Sequence, residues 1–176
     1  MRNVLMKLKE YLNRVHLTNV KFKTKFAEAE FSLNDNDKDA AWELYVELIT
    51  RIVTQELKLE EGDEEAALKS VYSLFPITRE ILKRKGRDCI QFSKIAVAVL
   101  NQIVRPFTAK WHKKDLAGAF KNQKECMLFR EELKNIQKDM RRYTCLLAEI
   151  AEVEDLTDIN GEFLENQGKT NAPAKK

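Results

Sequence analysis

Residues 129–153, FREELKNIQKDMRRYTCLLAEIAEV, decide the fold because their apolar positions repeat in steps of four and three. The repeating residues are Phe129, Leu133, Ile136, Met140, Tyr143, Leu147 and Ile150. A heptad pattern of this kind places one apolar stripe along a long α-helix. Helices of ordinary bundles show the same pattern, so we expect the stripe to face the core first and a subunit contact second.

Two further helices are predicted upstream of this segment. Residues 34–37 (NDND) supply N-cap candidates for a helix that we expect to continue to Leu59 and to close at Gly62. Asp63 begins the next helix, in which a kink is expected at Pro76 because proline lacks a backbone donor.

Asp88 begins the most apolar segment, residues 88–104, in which apolar residues occupy most sides of a helix. Such a helix is expected at the centre of the bundle. A short helix is expected at residues 116–120.

Residues 1–16 predict an amphipathic helix in which basic residues outnumber acidic ones. The pattern is typical of a helix on an anionic membrane surface, with Leu5, Leu8 and Leu12 as the membrane-surface candidates. It is equally typical of a helix that packs on its own domain, and we prefer that interpretation. Residues 17–34 alternate apolar and polar positions, which predicts an extended connector with one or two short strands.

The chain is predicted to have an all-α fold with a single domain, residues 35–153, that forms a bundle of about five to six helices. Its 176 residues are enough for one sizeable core, and its five glycines and three prolines indicate long helices with short loops. Residues 154–176 are polar and predict a flexible C-terminal tail.

Several classes of site and of targeting segment are excluded by composition. Cys89, Cys126 and Cys145 are odd in number and lack a C-x-x-C motif, which predicts neither disulfides nor a zinc site. Gly-rich phosphate loops and H-E-x-x-H motifs are absent, so no cofactor or metal is predicted. The most apolar run is about ten residues, against roughly 18 to 20 for a membrane span, and the start is not a secretory signal.

Residues 105–112, RPFTAKWH, hold the candidate catalytic pair, Arg105 and His112. Their spacing is typical of the R-x(4–6)-H motif of HEPN ribonucleases. Histidine can move a proton from a ribose hydroxyl, and arginine can stabilise the charge that builds on phosphorus. Pro106 disfavours helical geometry at the residue before it, so we expect one helix to end near Val104 and another to begin there. Across such a break the two side chains need not converge.

Two interpretations of this pair remain open. In the first, Arg105 and His112 form an acid–base site, which a partner subunit can complete. In the second, which we prefer, Trp111 is buried and His112 is a hydrogen-bonding residue of the helix surface. Removing His112 is then expected to destabilise the fold by roughly 1 to 3 kcal/mol.

A likeness to a known family is carried by four segments: DAAWELYVELITRIVTQ, GDEEAALKSVYSLFPITREILKRKG, LNQIVRPFTAKWHKK and FREELKNIQKDMRRYTCLLAEIAEV. Together they resemble the small helical accessory protein encoded beside the RNA-guided RNA nuclease of type VI-B CRISPR systems. The resemblance covers residues 39–153. It implies a HEPN-like fold and an anti-phage accessory that forms a homo-oligomeric ring, an octamer, with a central pore at the membrane. It also implies a bacterial protein of the cytoplasm and inner membrane that is not secreted.

Charge is segregated along the chain although the formal net charge is only +3. Residues 35–65 hold eleven acidic and three basic residues, while residues 79–124 hold twelve basic and three acidic residues. Besides Arg105, the basic candidates are Arg79, Lys83, Arg84, Lys85, Arg87, Lys110, Lys113 and Lys114. They predict an RNA phosphate-binding stripe, a head-to-tail subunit contact, or faces that neutralise one another inside one monomer.

We therefore expect a non-enzymatic, oligomerising accessory of CRISPR antiviral defence. Its expected partners are further copies of itself and the type VI-B nuclease, with membrane lipid and RNA as additional candidates. The alternatives are a metal-independent HEPN-type endoribonuclease that uses Arg105 and His112, and an RNA-binding module without catalysis.

Overall fold

The computed structural model describes residues 6–17, 19–21, 30–58 and 60–157. Its helices are α1 (Leu8–Arg14), α2 (Asp35–Ile49), α3 (Glu64–Tyr72), α4 (Leu74–Lys85), α5 (Ile90–Val99), α6 (Arg105–Leu116) and α7 (Gln123–Ala151). A π-helical stretch, Leu100–Val104, joins α5 to α6, and 3-10 turns occupy Gly86–Asp88 and Ala119–Lys121. Strands β1 (Met6–Lys7) and β2 (Glu30–Phe31) pair antiparallel.

Helix α7 presents the heptad stripe to the core. Every stripe residue is buried except Ile136, which is partly buried and packs against the core. The largest interface of α7 is with α2, and α2 also packs on α4 and α5. Counting α5 and α6 as one rod, the described residues form six helical rods, which confirms the predicted all-α, single-domain bundle.

Two helices begin around one buried carboxylate, that of Asp37. Asn34 and Asp37 form a capping box at the start of α2, in which each side chain accepts a hydrogen bond from the other's backbone N–H. Asp37 Oδ1 also accepts from the N–H groups of Gln91 (3.0 Å) and Phe92 (2.9 Å), in the first turn of α5. These donors and the positive end of the helix dipole stabilise a buried anion. The prediction that Asp88 begins this helix is wrong, because a residue distant in sequence supplies the cap.

Helix α2 ends at Ile49 and does not continue to Leu59 as predicted. The sequence ITRIVT at residues 49–54 is rich in β-branched residues, which lower helix propensity. Side chains replace the missing helical donors: Thr54 Oγ1 donates to Leu48 O at 2.6 Å, and Gln55 Nε2 donates to Ile49 O at 2.9 Å. The helix therefore ends where its own downstream side chains satisfy its carbonyl groups.

Pro76 lies in the first turn of a new helix. One helix, α3, ends at Ser73 and the next, α4, begins directly after it. Pro76 is therefore in the first turn of α4, where a backbone N–H would have no acceptor within the helix, so its missing N–H costs nothing. The predicted kink inside one long helix is therefore wrong. The predicted N-cap at Asp63 is present, since its side chain accepts from Ala66 N at 2.7 Å.

Pro106 lies inside a continuous helical rod. In the π-helical stretch Leu100–Val104 the turns are wider, and the N–H of Arg105 bonds to Leu100 O. Such a turn accommodates a proline ring that would otherwise clash with the carbonyl group one turn earlier. Pro106 lies in the first turn of α6, as predicted, but the predicted break near Val104 is absent, because the backbone of Val104 and Arg105 is helical. Arg105 and His112 belong to one unbroken helix.

The N-terminal helix α1 packs on the bundle. Leu12 is only 6% exposed, and with Val15 it belongs to the hydrophobic core. Leu12 is thus covered by protein in this structure and does not face outward as a membrane-surface residue. Helix α1 begins only at Leu8, because Met6–Lys7 form a strand; Leu5 and the side chain of Leu8 lie outside the described residues.

The chain after α7 differs from the predicted flexible tail at its first residues. The Tyr45 hydroxyl accepts from Leu156 N at 2.6 Å and donates to Glu154 O at 3.3 Å. Thr157 is buried. Residues 154–157 are thus held against α2, and residues 158–176 lie outside the described part of the chain.

We expect Asp37→Ala to lower the free energy of unfolding by roughly 3 kcal/mol, since it leaves buried N–H groups at two helix ends without an acceptor. Urea denaturation followed by circular dichroism measures this loss. Asp35→Ala is the matched control on the same helical turn, because Asp35 is exposed, and it should cost less than about 1 kcal/mol. Equal losses in the two variants would contradict the role given to Asp37.

Candidate functional site

An open cleft of about 380 Å³ separates two walls of the bundle. Helices α3 and α4 contribute Tyr72, Phe75, Thr78, Arg79 and Leu82. The rod formed by α5, the π-helical stretch and α6 contributes Val97, Leu100, Asn101, Arg105, Thr108, Ala109 and His112. The candidate pair Arg105 and His112 therefore lines one cleft, because the helix that carries both is unbroken.

Phe75 organises two guanidinium groups, one from each wall. Arg79 Nε donates to the carbonyl oxygen of Phe75 at 3.2 Å. Arg105 lies over the Phe75 ring, with its guanidinium carbon 4.9 Å from the ring centre, and its Nε donates to Asn101 Oδ1 at 2.9 Å. Each arginine is thus fixed through Nε, which leaves its terminal Nη groups available for a ligand.

The lining of the cleft contains no acidic residue. Arg79 and Arg105 form no ion pair with any residue that the structure describes. Two permanent cations and an imidazole therefore line a cavity without a compensating carboxylate. Such an arrangement concentrates positive potential and favours an anionic ligand.

Thr78 lines the same cleft, and its hydroxyl is buried and unpartnered. Its side chain is 1% exposed, and its Oγ1 has no hydrogen-bond partner within the described structure. Thr108, on the facing wall, instead donates to Val104 O at 3.0 Å, one turn earlier in its helix. A buried hydroxyl without a partner destabilises a protein by about 1 to 3 kcal/mol, so Thr78 has an unused donor where a ligand could accept it.

His112 is exposed, whereas Trp111 beside it is completely buried. The Trp111 indole Nε1 donates to Glu132 Oε2 at 2.9 Å, and its ring packs edge-on against Phe129. The hydrogen bond predicted for His112 is absent among the residues with described positions. A general acid–base histidine usually has a group that orients its ring, and none of the described residues does so for His112.

The predicted basic stripe divides into two sets. Four residues pair with carboxylates of the same chain: Arg84 with Glu43, Lys85 with Asp39, Lys110 with Glu132 and Lys114 with Glu125. Four others form no ion pair within the described ranges: Arg79, Lys83, Arg87 and Lys113. Neutralisation inside a monomer thus applies to half of the stripe, and the other half is unpaired in the described structure.

The three cysteines are free thiols. Burial raises the pKa of Cys145 to about 11, with Asp155 adding to the effect, and burial also raises the pKa of Cys126. A raised pKa keeps a thiol protonated and poorly nucleophilic at neutral pH. In the part of the chain with described positions, no group of histidine, cysteine and acidic residues is placed to hold a metal ion.

Comparison of the chain with protein-family models, with characterised proteins and with solved structures gave no match. Among the helices described, none combines the length and the apolar content needed to cross a bilayer.

Sequence reasoning assigned Arg105 and His112 to one site but placed Arg79 only in the basic stripe and did not identify Thr78, Phe75 or Asn101. Nothing in the sequence of α4 shows that Thr78 and Arg79 face α6, which comes later in the chain, after α5 and the π-helical stretch. Only the packing of the two walls brings them together.

We expect His112→Ala to change the free energy of unfolding by less than about 0.5 kcal/mol, since the imidazole is exposed and lacks a described hydrogen bond. Trp111→Ala, at the neighbouring buried position, should cost roughly 3 to 5 kcal/mol. Urea denaturation of both variants tests the contrast. A loss above about 1 kcal/mol for His112→Ala would restore the structural role predicted from sequence.

Proposed function

We propose that the protein is a non-enzymatic accessory of CRISPR antiviral defence that enhances an RNA-guided RNA nuclease and works as a homo-oligomeric ring at the membrane. The resemblance of residues 39–153 to the type VI-B accessory family supports this proposal. The observation that carries the ring is a residual charge asymmetry. Exposed cations at the end of α4 and exposed acidic residues elsewhere have no ion-pair partner in the described monomer.

The proposed contact is head to tail. Lys83 and Arg87 lie at the end of α4 and in the following 3-10 turn, where both are exposed. Asp35 and Glu60, from the acidic part of the sequence, are also exposed and form no ion pair within the described residues. Asp35 lies on the same side of the subunit as Arg87, because Asn34 Nδ2 donates to Asp88 O, whereas Glu60 follows the opposite end of α2. A contact between the Glu60 surface of one copy and Lys83 and Arg87 of the next would be heterologous, and it closes a ring where the rotation permits.

Contact with lipid needs a surface other than the core face of α1, since Leu12 is buried. Several large apolar side chains are exposed elsewhere: Ile90 and Val97 on α5, Leu116 on α6, and Met127 on α7. Assembly of several copies would multiply these apolar surfaces, which then become candidates for membrane contact. The membrane role therefore depends on the ring in this proposal.

The second candidate function is a metal-independent, HEPN-type endoribonuclease. The observation that favours it is that Arg105 and His112 share an unbroken helix and line one cleft. Because no described residue orients the imidazole, a partner subunit would have to supply that group.

We expect light scattering to give a mass several times 20.5 kDa at micromolar concentration. Replacing Lys83 and Arg87 together by glutamate should dissociate the particle, because like charges would meet at the contact. Lys124→Glu reverses a charge on an exposed part of α7 and should leave the mass unchanged.

The intact ring should float with anionic liposomes, and the dissociated variant should not. A wild-type monomer would exclude the ring.

We expect the purified protein to leave single-stranded RNA uncut in the presence of a metal chelator. Gel analysis of labelled RNA with wild-type, Arg105→Ala and His112→Ala proteins tests this. Cleavage that disappears in both variants, with their unfolding transitions unchanged, would promote the ribonuclease in place of the accessory.

A further inference from the structure

The Thr78 hydroxyl distinguishes this cleft from an ordinary charged surface. Thr78 is buried and its Oγ1 has no described partner, although Thr108 shows that a threonine in this bundle can bond to a carbonyl group of its own helix. A buried donor that lines a cavity can be satisfied by a ligand that accepts a hydrogen bond. The ligand must therefore reach past the rim to the wall formed by α4.

The two arginines are fixed before any ligand arrives. Each guanidinium is held through Nε by an acceptor four residues earlier, the Phe75 carbonyl for Arg79 and the Asn101 side chain for Arg105. The Phe75 ring supports Arg105 from the opposite wall at 4.9 Å. Guanidinium forks held in this way match the oxygen atoms of a phosphate group, and fixing them in advance reduces the entropy lost on binding.

Charge selects the kind of phosphate. Two permanent cations line the cleft and no acidic residue opposes them. A phosphate monoester carries a charge of about −1.5 to −2 near neutral pH, whereas each phosphodiester of a nucleic-acid backbone carries only one negative charge. A dianion therefore matches the two arginines better than a single backbone phosphate does.

The rim of the cleft is apolar. Tyr72 is 58% exposed and Val97 is 44% exposed, and they lie on opposite walls. Exposed apolar groups at the mouth of a cationic cavity suit the organic part of a ligand whose charged end is bound inside.

We propose that the cleft binds the phosphate group of a phosphate monoester, with Arg79 and Arg105 as a clamp and the Thr78 hydroxyl as a buried donor to a phosphate oxygen. The monoester can come from a soluble molecule or from a lipid headgroup. The site is complete within one chain and depends neither on the ring nor on the accessory role.

Titration calorimetry with phenyl phosphate tests the proposal, with inorganic phosphate and dimethyl phosphate for comparison. We expect phenyl phosphate to bind most tightly and the diester at least about tenfold more weakly. Equal binding of the monoester and the diester, or tighter binding of a short RNA, would overturn the monoester assignment.

Two variants assign the roles of the two walls. Thr78→Val should raise the melting temperature of the free protein by about 2 to 4 °C, because it removes an unsatisfied hydroxyl, and should weaken phenyl phosphate binding about tenfold. Arg79→Gln should weaken binding at least tenfold. Lys113→Gln, which removes an exposed and unpaired cation outside the cleft lining, should not change it. Unchanged affinity in Thr78→Val, or equal effects of Arg79→Gln and Lys113→Gln, would reject the site.

Vesicles distinguish the two sources of phosphate. Phosphatidylcholine vesicles with and without phosphatidic acid are compared for binding of wild-type and Arg79→Gln protein. If phosphatidic acid raises the affinity for vesicles, if this rise needs Arg79, and if the resulting affinity exceeds that for phenyl phosphate, the ligand is a lipid headgroup. A higher affinity for phenyl phosphate than for these vesicles assigns the site to a soluble ligand. Binding to neither probe would refute the proposal. The Lys83 and Arg87 double variant, which tests the ring, should still bind phenyl phosphate, so the two proposals fail separately.

Discussion

The buried carboxylate of Asp37 fixes the beginnings of α2 and α5 relative to each other. Burial of a charge is costly without partners, and here the partners are backbone N–H groups at two helix N-termini, where the helix dipole also favours an anion. Helix α2 packs on α4, α5 and α7, and α5 continues into α6. The relative position of the two cleft walls, α4 and the α5–α6 rod, therefore depends on the helix that Asp37 anchors.

Local signals in the sequence predicted local features of the fold. Spacing alone identifies the caps at Asn34 and Asp63 and the apolar stripe of α7, because each of these features depends on residues that are close in sequence. The end of α2 was missed because it depends partly on α7, where the Gln137 amide donates to the carbonyl groups of Ile52 (2.7 Å) and Gln55 (2.6 Å). The cap of α5 was missed for the same reason, since Asp37 is remote in sequence. Contacts of this kind are invisible to periodicity.

The candidate site was predicted on one wall only. Seven residues bring two side chains to one face of an unbroken helix, while Pro106 argued for a break at Arg105, across which Arg105 and His112 need not converge. The π-helical stretch resolves this conflict, because its wider turn accepts the proline and keeps the rod continuous. The opposite wall, with Thr78 and Arg79, has no sequence signature. Its role follows from two observations: the Thr78 hydroxyl is buried without a partner, and Phe75 contacts the guanidinium groups of both Arg79 and Arg105.

The π-helical stretch also links the N-terminal connector to the cleft. Gln102 bonds with its side-chain amide to both polar groups of the Lys21 main chain, accepting from N at 2.8 Å and donating to O at 2.7 Å. Its neighbour Asn101 holds the Arg105 guanidinium. In a π-helical stretch, successive side chains point in other directions than they would on a regular α-helix. This is one reason why π-helical stretches recur at functional sites. One short distortion thus accommodates Pro106, anchors the connector at Lys21 and orients Arg105. The geometry of the cleft is therefore tied to the docking of the N-terminal segment as well as to the core.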